Sequence, residues 1–230
     1  YAEDDLVALA NWALDRGLHL IIDEVYASSV FATSAAVAPF VSALAIAGAQ
    51  KLGAAAETHL HVVYGMSKDF CASGYRVGVL HTKNKGVIKA MDNVGYFCAV
   101  PGPMQFALAE MLEDTEWVDA YFALNSKNLA ESHGLLTVAL SEAGIPVLPA
   151  TAGMFVWINL GGWLKESTWE EEGRLWSACF EDPGCKLVMT PGRDCKHSTP
   201  GCFRMCFAAV KREALPVAVK RLAALLGTYK

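Results

Sequence analysis

The sequence lacks runs of lysine or arginine and carries little excess charge of either sign. Its 19 Lys and Arg residues are outnumbered by 24 Asp and Glu residues, so the formal net charge is −5. A surface that binds nucleic acid or an anionic membrane requires clustered basic side chains. We therefore expect neither nucleic acid nor a membrane among the partners of this protein.

A long, strongly apolar run is also missing. Residues 25–50 carry no charge, but they are rich in Ala, Ser and Thr, and Pro39 interrupts them. A membrane-spanning helix needs about 20 consecutive, mostly apolar residues. We interpret the segment as a buried or half-buried part of a globular domain. No signal-peptide pattern precedes it, and a first residue of Tyr1 rather than Met predicts a fragment of something longer.

The cysteines do not form the spacing of a zinc site. The chain has 7 of them, so at least one is unpaired, which is typical of reduced thiols in a cytoplasmic enzyme. Six cysteine and histidine residues lie close together in sequence: Cys179, Cys185, Cys195, His197, Cys202 and Cys206. Their spacings lack the paired two-residue knuckles that make a zinc prediction strong. We therefore expect no metal, and a cytoplasmic location.

The first part of the chain alternates helical and strand-like patterns. Apolar positions recur at helical spacing over residues 3–16, and Gly17 follows where a C-terminal cap belongs. Strand-like runs cover residues 18–22, 60–66 and 76–82. The first run ends in Asp23 and Glu24, a pattern typical of a strand that is buried on both faces of a parallel sheet. An α/β fold is predicted.

The second part contains a long helix and then a change of character. Residues 84–143 have a helical pattern that is interrupted at residues 101–103, and residues 116–143 are predicted to form one helix. After residues 144–146 we predict strands at 154–160, 186–189 and 203–208 and helices at 169–180 and 212–226. The chain is thus predicted to comprise a larger domain, residues 1–145, and a smaller α+β domain, residues 146–230.

Three separated segments combine residues that carry chemistry. They read IIDEVY from Ile21, YGMSKDF from Tyr64 with GYRVG from Gly74, and TPG from Thr190 with PGCFRMCFA from Pro200. Here the chain resembles the fold-type I, class I/II aminotransferases, which depend on pyridoxal 5′-phosphate (PLP). Within them it is most similar to the 1-aminocyclopropane-1-carboxylate (ACC) synthases, whose signatures run Ser-Lys-Asp…Gly-x-Arg-Val-Gly and Pro-Gly-x-Phe-Arg-x-Cys-Phe-Ala.

The resemblance implies a role for each residue of the cofactor site. Lys68 matches the lysine that forms a Schiff base with the cofactor, and PLP chemistry requires such an amine. Asp23 matches the aspartate that keeps the pyridine nitrogen protonated, and Tyr26 matches the tyrosine that donates to the phenolic oxygen. Ser67 and Arg76 match the family's phosphate ligands.

Two further positions bear on substrate and phosphate. Arg204 matches the arginine that binds the α-carboxylate of an amino-acid substrate, a group that a guanidinium reads with two hydrogen bonds. Gly65 stands where relatives usually carry a hydroxyl residue that also contacts the phosphate. Each segment taken alone is also typical of sequence with no role in binding or catalysis. Arg204 by itself would fit an arginine whose aliphatic part is buried by packing. Their joint occurrence, in order, favours the PLP enzyme.

The resemblance also implies which part of the fold is present and which reactions to weigh. The chain corresponds to the C-terminal portion of a PLP-dependent transferase fold: part of the mainly parallel-sheet large domain, with the long helix, and the small domain. The family's N-terminal half supplies further cofactor contacts, so the chain alone is expected to bind PLP weakly and turn over poorly. A homodimer is expected by analogy.

Three functions remain open. The first is an ACC synthase-like lyase, which converts S-adenosylmethionine to ACC and methylthioadenosine. The second is a transaminase that converts an amino acid to a keto acid. The third is an inactive, truncated relative that serves as a subunit or regulatory partner. The first two require the same residues, so these segments do not separate them.

Overall fold

The computed structural model describes residues 1–31 and 40–229. The chain divides into two compact units, residues 1–126 and residues 127–230. The division falls within the longest described helix, Thr115–Glu142, which confirms the single helix expected there. The predicted domain limits, at residue 145, follow the end of that helix, and they stay a prediction.

The first unit contains a three-stranded sheet and several helices. Its elements are α1 (Glu3–Leu14), β1 (Leu20–Asp23), α2 (Ala43–Gly48), α3 (Ala56–His59), β2 (Leu60–Gly65), α4 (Met66–Asp69), β3 (Gly78–Thr82), α5 (Lys85–Cys98), α6 (Gly102–Glu113) and the start of α7 (Thr115–Glu142). The order is β1-β2-β3, with β1 parallel to β2 and β2 antiparallel to β3. The three strand predictions are therefore confirmed, within about two residues at each end.

A small apolar core fixes β1 and β2 against the first two helices. Ala43, Leu60 and Val62 are buried at its centre, and Leu20 and Ile22 of β1 pack against them. Ile21, between those two, is 65% exposed. The prediction that this strand is buried on both faces is therefore wrong for the described residues. Since side chains alternate along a strand, only one face of β1 is covered by helices here.

The helical stretch after β3 breaks where its sequence requires. Asn84 caps α5, because its Oδ1 accepts hydrogen bonds from the backbone N–H groups of Gly86 and Val87. Pro101 precedes α6, and Pro103 lies in its first turn, where a missing N–H group does no harm. The interruption expected at residues 101–103 is thus confirmed as a break between two helices.

The second unit contains the rest of α7 and a four-stranded antiparallel sheet. Its other elements are β4 (Val147–Leu148), β5 (Phe155–Asn159), α8 (Trp169–Glu181), β6 (Thr190–Pro191), β7 (Cys202–Cys206) and α9 (Ala214–Thr228), and the strand order is β4-β5-β7-β6. Both predicted helices and two of the three predicted strands are confirmed. The two-residue strands β4 and β6 were not predicted.

The strand predicted at residues 186–189 is wrong. These residues follow a turn in which Asp182 Oδ1 accepts hydrogen bonds from the N–H groups of Gly184 and Cys185. Lys186 then has a left-handed backbone, with φ of +49°, which does not continue into a strand. The ladder begins only at Thr190, opposite Arg204. The short apolar run predicts a strand at residues 186–189, but after the turn at Asp182 the strand begins only at Thr190.

The uncharged segment, residues 25–50, is only partly described. It begins as a turn, contributes Ala43 and Ile46 to the buried residues of α2, and contains Pro39, which lies outside the described residues. Among the described residues, no helix has both the length and the apolar character needed to cross a membrane. Within the same residues, no group of three or more His, Cys, Asp and Glu side chains has the geometry to hold a metal ion.

Candidate active site

The sequence-predicted cofactor residues of the first unit meet at one edge of its sheet. Asp23, the last residue of β1, pairs with Val63 in the parallel neighbour β2, so the two strands end at the same edge. Strand β3 returns antiparallel, and Gly65 pairs with Gly78. The connection between them, residues 66–77, therefore lies at that edge too. The edge carries Asp23, Tyr26, Ser67, Lys68 and Arg76, and the carboxyl ends of parallel strands are where α/β proteins bind ligands.

Asp23 is exposed at the end of β1 and shapes the turn that follows. Its Oδ1 accepts a hydrogen bond of 3.0 Å from the backbone N–H of Val25. The turn is closed by the backbone N–H of Ala27, which donates to Glu24 O, and by that of Ser29, which donates to Tyr26 O. The half-buried Tyr26 thereby lies within the turn, three residues after Asp23.

The neighbouring carboxylate, Glu24, has a structural role. It is 9% exposed, and its oxygens accept hydrogen bonds from Ser42 Oγ and from the backbone N–H of Ala43 at the start of α2. These bonds satisfy groups at a helix N-terminus. Of the two neighbouring acids at the end of β1, Asp23 is therefore the one available to a ligand at this edge.

Lys68 lies in the one-turn helix α4 and is half-buried, next to the half-buried Ser67. The turn is held at its base because the backbone N–H of Met66 donates to Val77 O at 3.2 Å. The backbone N–H of Cys71 donates to Lys68 O at 3.0 Å. The lysine side chain thus extends from a backbone that is fixed on both sides.

Arg76 stands at the other end of the same connection. Its backbone has φ of +56°, a left-handed conformation that is uncommon for any residue but glycine. Its Nη1 donates a hydrogen bond of 2.9 Å to Ser73 O. The guanidinium is exposed, and one such bond leaves most of its five N–H groups free to bind an anion.

Arg204 belongs to the second unit, on β7. Within that unit it pairs with Trp157 of β5 and with Thr190 of β6, and its guanidinium carbon lies 4.3 Å from the centre of the Phe155 ring. Its Nη2 is 3.4 Å from Thr190 Oγ1. Its Nε is buried and, among the described residues, has no hydrogen-bond partner. An unsatisfied, charged donor of this kind suits a carboxylate.

Sequence reasoning missed Asp69, the residue that follows Lys68. Its side chain is fully buried, and it accepts hydrogen bonds from the turn after β1 and from Tyr64. A single aspartate between a lysine and a phenylalanine gives no sign of burial, because two of its three partners, Ser28 and Ser29, lie 41 and 40 residues away in the sequence.

Comparison with known proteins decides the family. The family model described as "Aminotransferase class I and II" matches residues 1–222. The chain belongs to this family. The resemblance noted from the three sequence segments is thus confirmed.

Curated proteins that are similar in sequence are named ACC synthases or ACC synthase-like proteins. The 1-aminocyclopropane-1-carboxylate synthase 1 of Oryza sativa subsp. indica is 36% identical over 219 residues, which are 95% of this chain and 44% of that protein. The enzyme of Nicotiana tabacum is 35% identical, over 99% of this chain and 45% of its own length. A 1-aminocyclopropane-1-carboxylate synthase-like protein 1 of Takifugu rubripes is 33% identical, with 35% of its length covered. The chain thus spans less than half the length of these relatives.

Solved structures show the fold. An aspartate aminotransferase double mutant of Thermus thermophilus matches 98% of this chain and 53% of its own, with a TM-score of 0.79 and 23% identity. An aromatic aminotransferase of Pyrococcus horikoshii matches 99% of this chain and 56% of its own, with a TM-score of 0.81 and 20% identity. The predicted fold, a C-terminal part of a PLP-dependent transferase, is confirmed.

The cofactor of the aminotransferase class I and II family is PLP, and the chemistry of the residues at the sheet edge fits it. The edge offers an amine for the aldehyde and an exposed carboxylate for the pyridine N–H group. It also offers a phenol, a hydroxyl and a guanidinium as hydrogen-bond donors for the cofactor's oxygens.

Position 65 offers a test of the phosphate site. Gly65 has ordinary extended backbone angles, and an added Cβ would lie 3.6 Å from Val25 Cγ2 and 3.7 Å from Val77 O, which are normal contacts. Gly65→Ser is therefore expected to fold and to bind PLP about tenfold more tightly, because a hydrogen bond to a charged group contributes about 1.5 kcal/mol. The measurement is the PLP dissociation constant of the full-length protein.

Gly65→Ala is the matched control, since it adds the same Cβ without the hydroxyl. Its affinity for PLP is expected to stay at the wild-type value. Equal affinities for the serine and alanine variants would show that position 65 does not face the phosphate.

Proposed function

We propose that the protein is a PLP-dependent enzyme that acts on an amino-acid substrate, with Lys68 as the residue that binds the cofactor's aldehyde. The parallel pairing of β1 with β2 carries the proposal, because it puts the carboxylate of Asp23 and the turn of Lys68 at one sheet edge. PLP supplies an electron sink for the bonds at the substrate's α-carbon.

The other residues at the edge hold the cofactor in this proposal. Asp23 accepts a hydrogen bond from the pyridine N–H group and keeps it protonated, which its exposed side chain at the end of β1 allows. Tyr26 donates to the phenolic oxygen. Ser67 and Arg76 bind the phosphate, the first through its hydroxyl and the second through the guanidinium N–H groups that Ser73 leaves available.

Lys68 would have a second role whenever its amine is not bound to the cofactor. Its amine then takes the proton from the α-carbon as a general base.

Arg204 binds the substrate's α-carboxylate in this proposal. Among the described residues, the buried Nε has no hydrogen-bond partner, and the contact from Nη2 to Thr190 Oγ1 is long. The edge of the guanidinium that carries these two nitrogens can therefore donate further hydrogen bonds. A carboxylate would satisfy that edge with two parallel hydrogen bonds. The ring of Phe155 fixes the plane of the guanidinium.

For the reaction, we propose the conversion of S-adenosylmethionine to ACC and methylthioadenosine. The relatives that carry the name ACC synthase are 33–36% identical to this chain, over nearly all of it. The alternative is transamination, which the family's description and the names of the structural neighbours favour. Both reactions need the same residues, so the assay must separate them.

Paired assays of the full-length protein test the choice. With S-adenosylmethionine we expect ACC and methylthioadenosine in equal amounts, and little amino transfer to added keto acids. Faster amino transfer would identify a transaminase. If neither reaction occurs, the protein is an inactive relative that acts as a subunit or regulatory partner.

The chain by itself is proposed to be poorly active. It covers 44% and 45% of two of the ACC synthases, and the cofactor contacts expected from the N-terminal half are not among its residues. We propose that the full-length protein is a homodimer, as is typical of its family, and that it is cytoplasmic.

A further inference from the structure

Asp69 is a fully buried acid beside the proposed cofactor lysine. It is 0% exposed, and among the described residues no Lys or Arg forms an ion pair with it. A buried carboxyl group is costly unless hydrogen bonds compensate it. Three donors do so here: the backbone N–H of Ser28 at 2.9 Å, Ser29 Oγ at 2.5 Å and Tyr64 Oη at 3.2 Å.

These three bonds join separate parts of the sheet edge. Ser28 and Ser29 belong to the turn after β1, and the backbone N–H of Ser29 donates to Tyr26 O, so their position sets that of Tyr26. The same turn starts at Asp23, whose Oδ1 accepts from Val25 N–H. Asp69 lies in α4, one residue after Lys68. One side chain therefore connects the turn of Asp23 and Tyr26 to the turn of Lys68.

The phenol of Tyr64 is a permanent donor in this network. Burial raises the pKa of Tyr64, and the negative charge of Asp69 raises it further. The hydroxyl group therefore keeps its proton at any ordinary pH and donates to Asp69 Oδ2. Because Tyr64 is in β2, it ties the acid to the sheet itself.

Tyr121 also holds the turn that contains Lys68, through a hydrogen bond to the backbone of that turn. Tyr121 Oη donates a hydrogen bond of 3.1 Å to Asp69 O, and its ring stacks on Phe70 with centroids 5.7 Å apart. Tyr121 thereby contacts both Asp69, the last residue of α4, and Phe70, the residue that follows it, within the first unit. The side chain of Asp69 is the only one of these contacts that reaches the turn after β1.

We propose that Asp69 is a positioning residue that sets the distance between the amine of Lys68 and the carboxylate of Asp23. The proposal rests on the function proposed above. A pyridine ring is rigid, so a cofactor held at its nitrogen by one residue and at its aldehyde by the other requires a fixed separation of the two. Small errors in such a separation cost affinity and rate.

Asp69→Asn in the full-length protein tests the proposal. Asparagine keeps the volume and one acceptor. Its NH₂ group either takes the place of Oδ2, where it faces the donors Ser28 N–H and Tyr64 Oη, or takes the place of Oδ1, where Ser29 Oγ must change from donor to acceptor. In either case the hydrogen bonds lose their charged acceptor. We expect the PLP dissociation constant to rise at least about tenfold and the pH midpoint of the bound cofactor's absorbance change to shift. Tyr64→Phe removes only one of the three hydrogen bonds. It is expected to raise the PLP dissociation constant, and to shift the absorbance midpoint, by smaller amounts than Asp69→Asn.

Asn84→Ala is the control for a loss of stability alone. It removes the N-cap of α5, which follows the end of β3 that lies opposite the Lys68 turn. We expect it to lower the melting temperature without changing PLP affinity or the absorbance midpoint. Should Asp69→Asn and Tyr64→Phe do the same, Asp69 is merely structural and the proposal is wrong. Should the wild type bind no PLP, the proposed function fails first, and this inference with it.

Discussion

Turnover by the full-length protein is expected to fall about a thousandfold or more when Lys68 is replaced by alanine, because the variant loses both the covalent attachment of PLP and the general base. Lys68→Arg is expected to fail equally, although it keeps the positive charge, because a guanidinium does not replace an amine in condensation with an aldehyde. The measurement is the steady-state rate with S-adenosylmethionine at saturating PLP.

Lys89→Ala is the matched control for this experiment. Lys89 is an exposed lysine on α5, in the same unit. Its replacement is expected to leave the rate unchanged within about a factor of two, as surface substitutions usually do. Substantial turnover by Lys68→Ala, at a level close to that of the control, would contradict the role given to Lys68.

Arg204→Lys is expected to lower kcat/KM about a hundredfold while leaving the affinity for PLP unchanged. An ammonium group is a point charge that does not reproduce the two parallel hydrogen bonds of a guanidinium. The lost charge-assisted bond accounts for about 1.5–3 kcal/mol. Because Arg204 is proposed to bind substrate rather than cofactor, the PLP dissociation constant and kcat/KM should respond separately.

Arg174→Lys makes the same chemical change elsewhere in the second unit. Arg174 is exposed on α8 and pairs with Glu170 and Glu171 of the same helix. Since Arg174 is exposed and a lysine keeps the positive charge beside both carboxylates, kcat/KM should stay near the wild-type value. If both arginine variants lower kcat/KM equally, the effect comes from charge or stability and Arg204 does not read the carboxylate.

The sequence predicted helices correctly where the apolar periodicity was long or where proline marked a helix boundary. The helix at residues 116–143 and the break at residues 101–103 depend on periodicity and on proline, which act within a few residues. The strand predicted at residues 186–189 failed because its apolar run is short and the turn around Asp182 determines the backbone.

The candidate site was predictable as far as its residue types and their order were concerned. The positions of Asp23 and Lys68 after apolar runs indicated strand ends, and the parallel pairing then placed both at one edge. The sequence did not predict that Asp23 stays exposed while Glu24 is held by hydrogen bonds, because this difference depends on Ser42, 18 residues away from Glu24. The burial of Asp69 depends on Ser29, 40 residues distant, and no local pattern encodes such a contact.

Borohydride reduction of the full-length protein with bound PLP, followed by peptide mapping, tests the central claim most directly. Reduction fixes the cofactor to the amine that holds it. The account predicts a pyridoxyl group on the peptide that contains Lys68, and none on the peptides that contain the exposed Lys83, Lys85 and Lys89. A label on another lysine, or an unlabelled Lys68 in protein that has bound PLP, would contradict it.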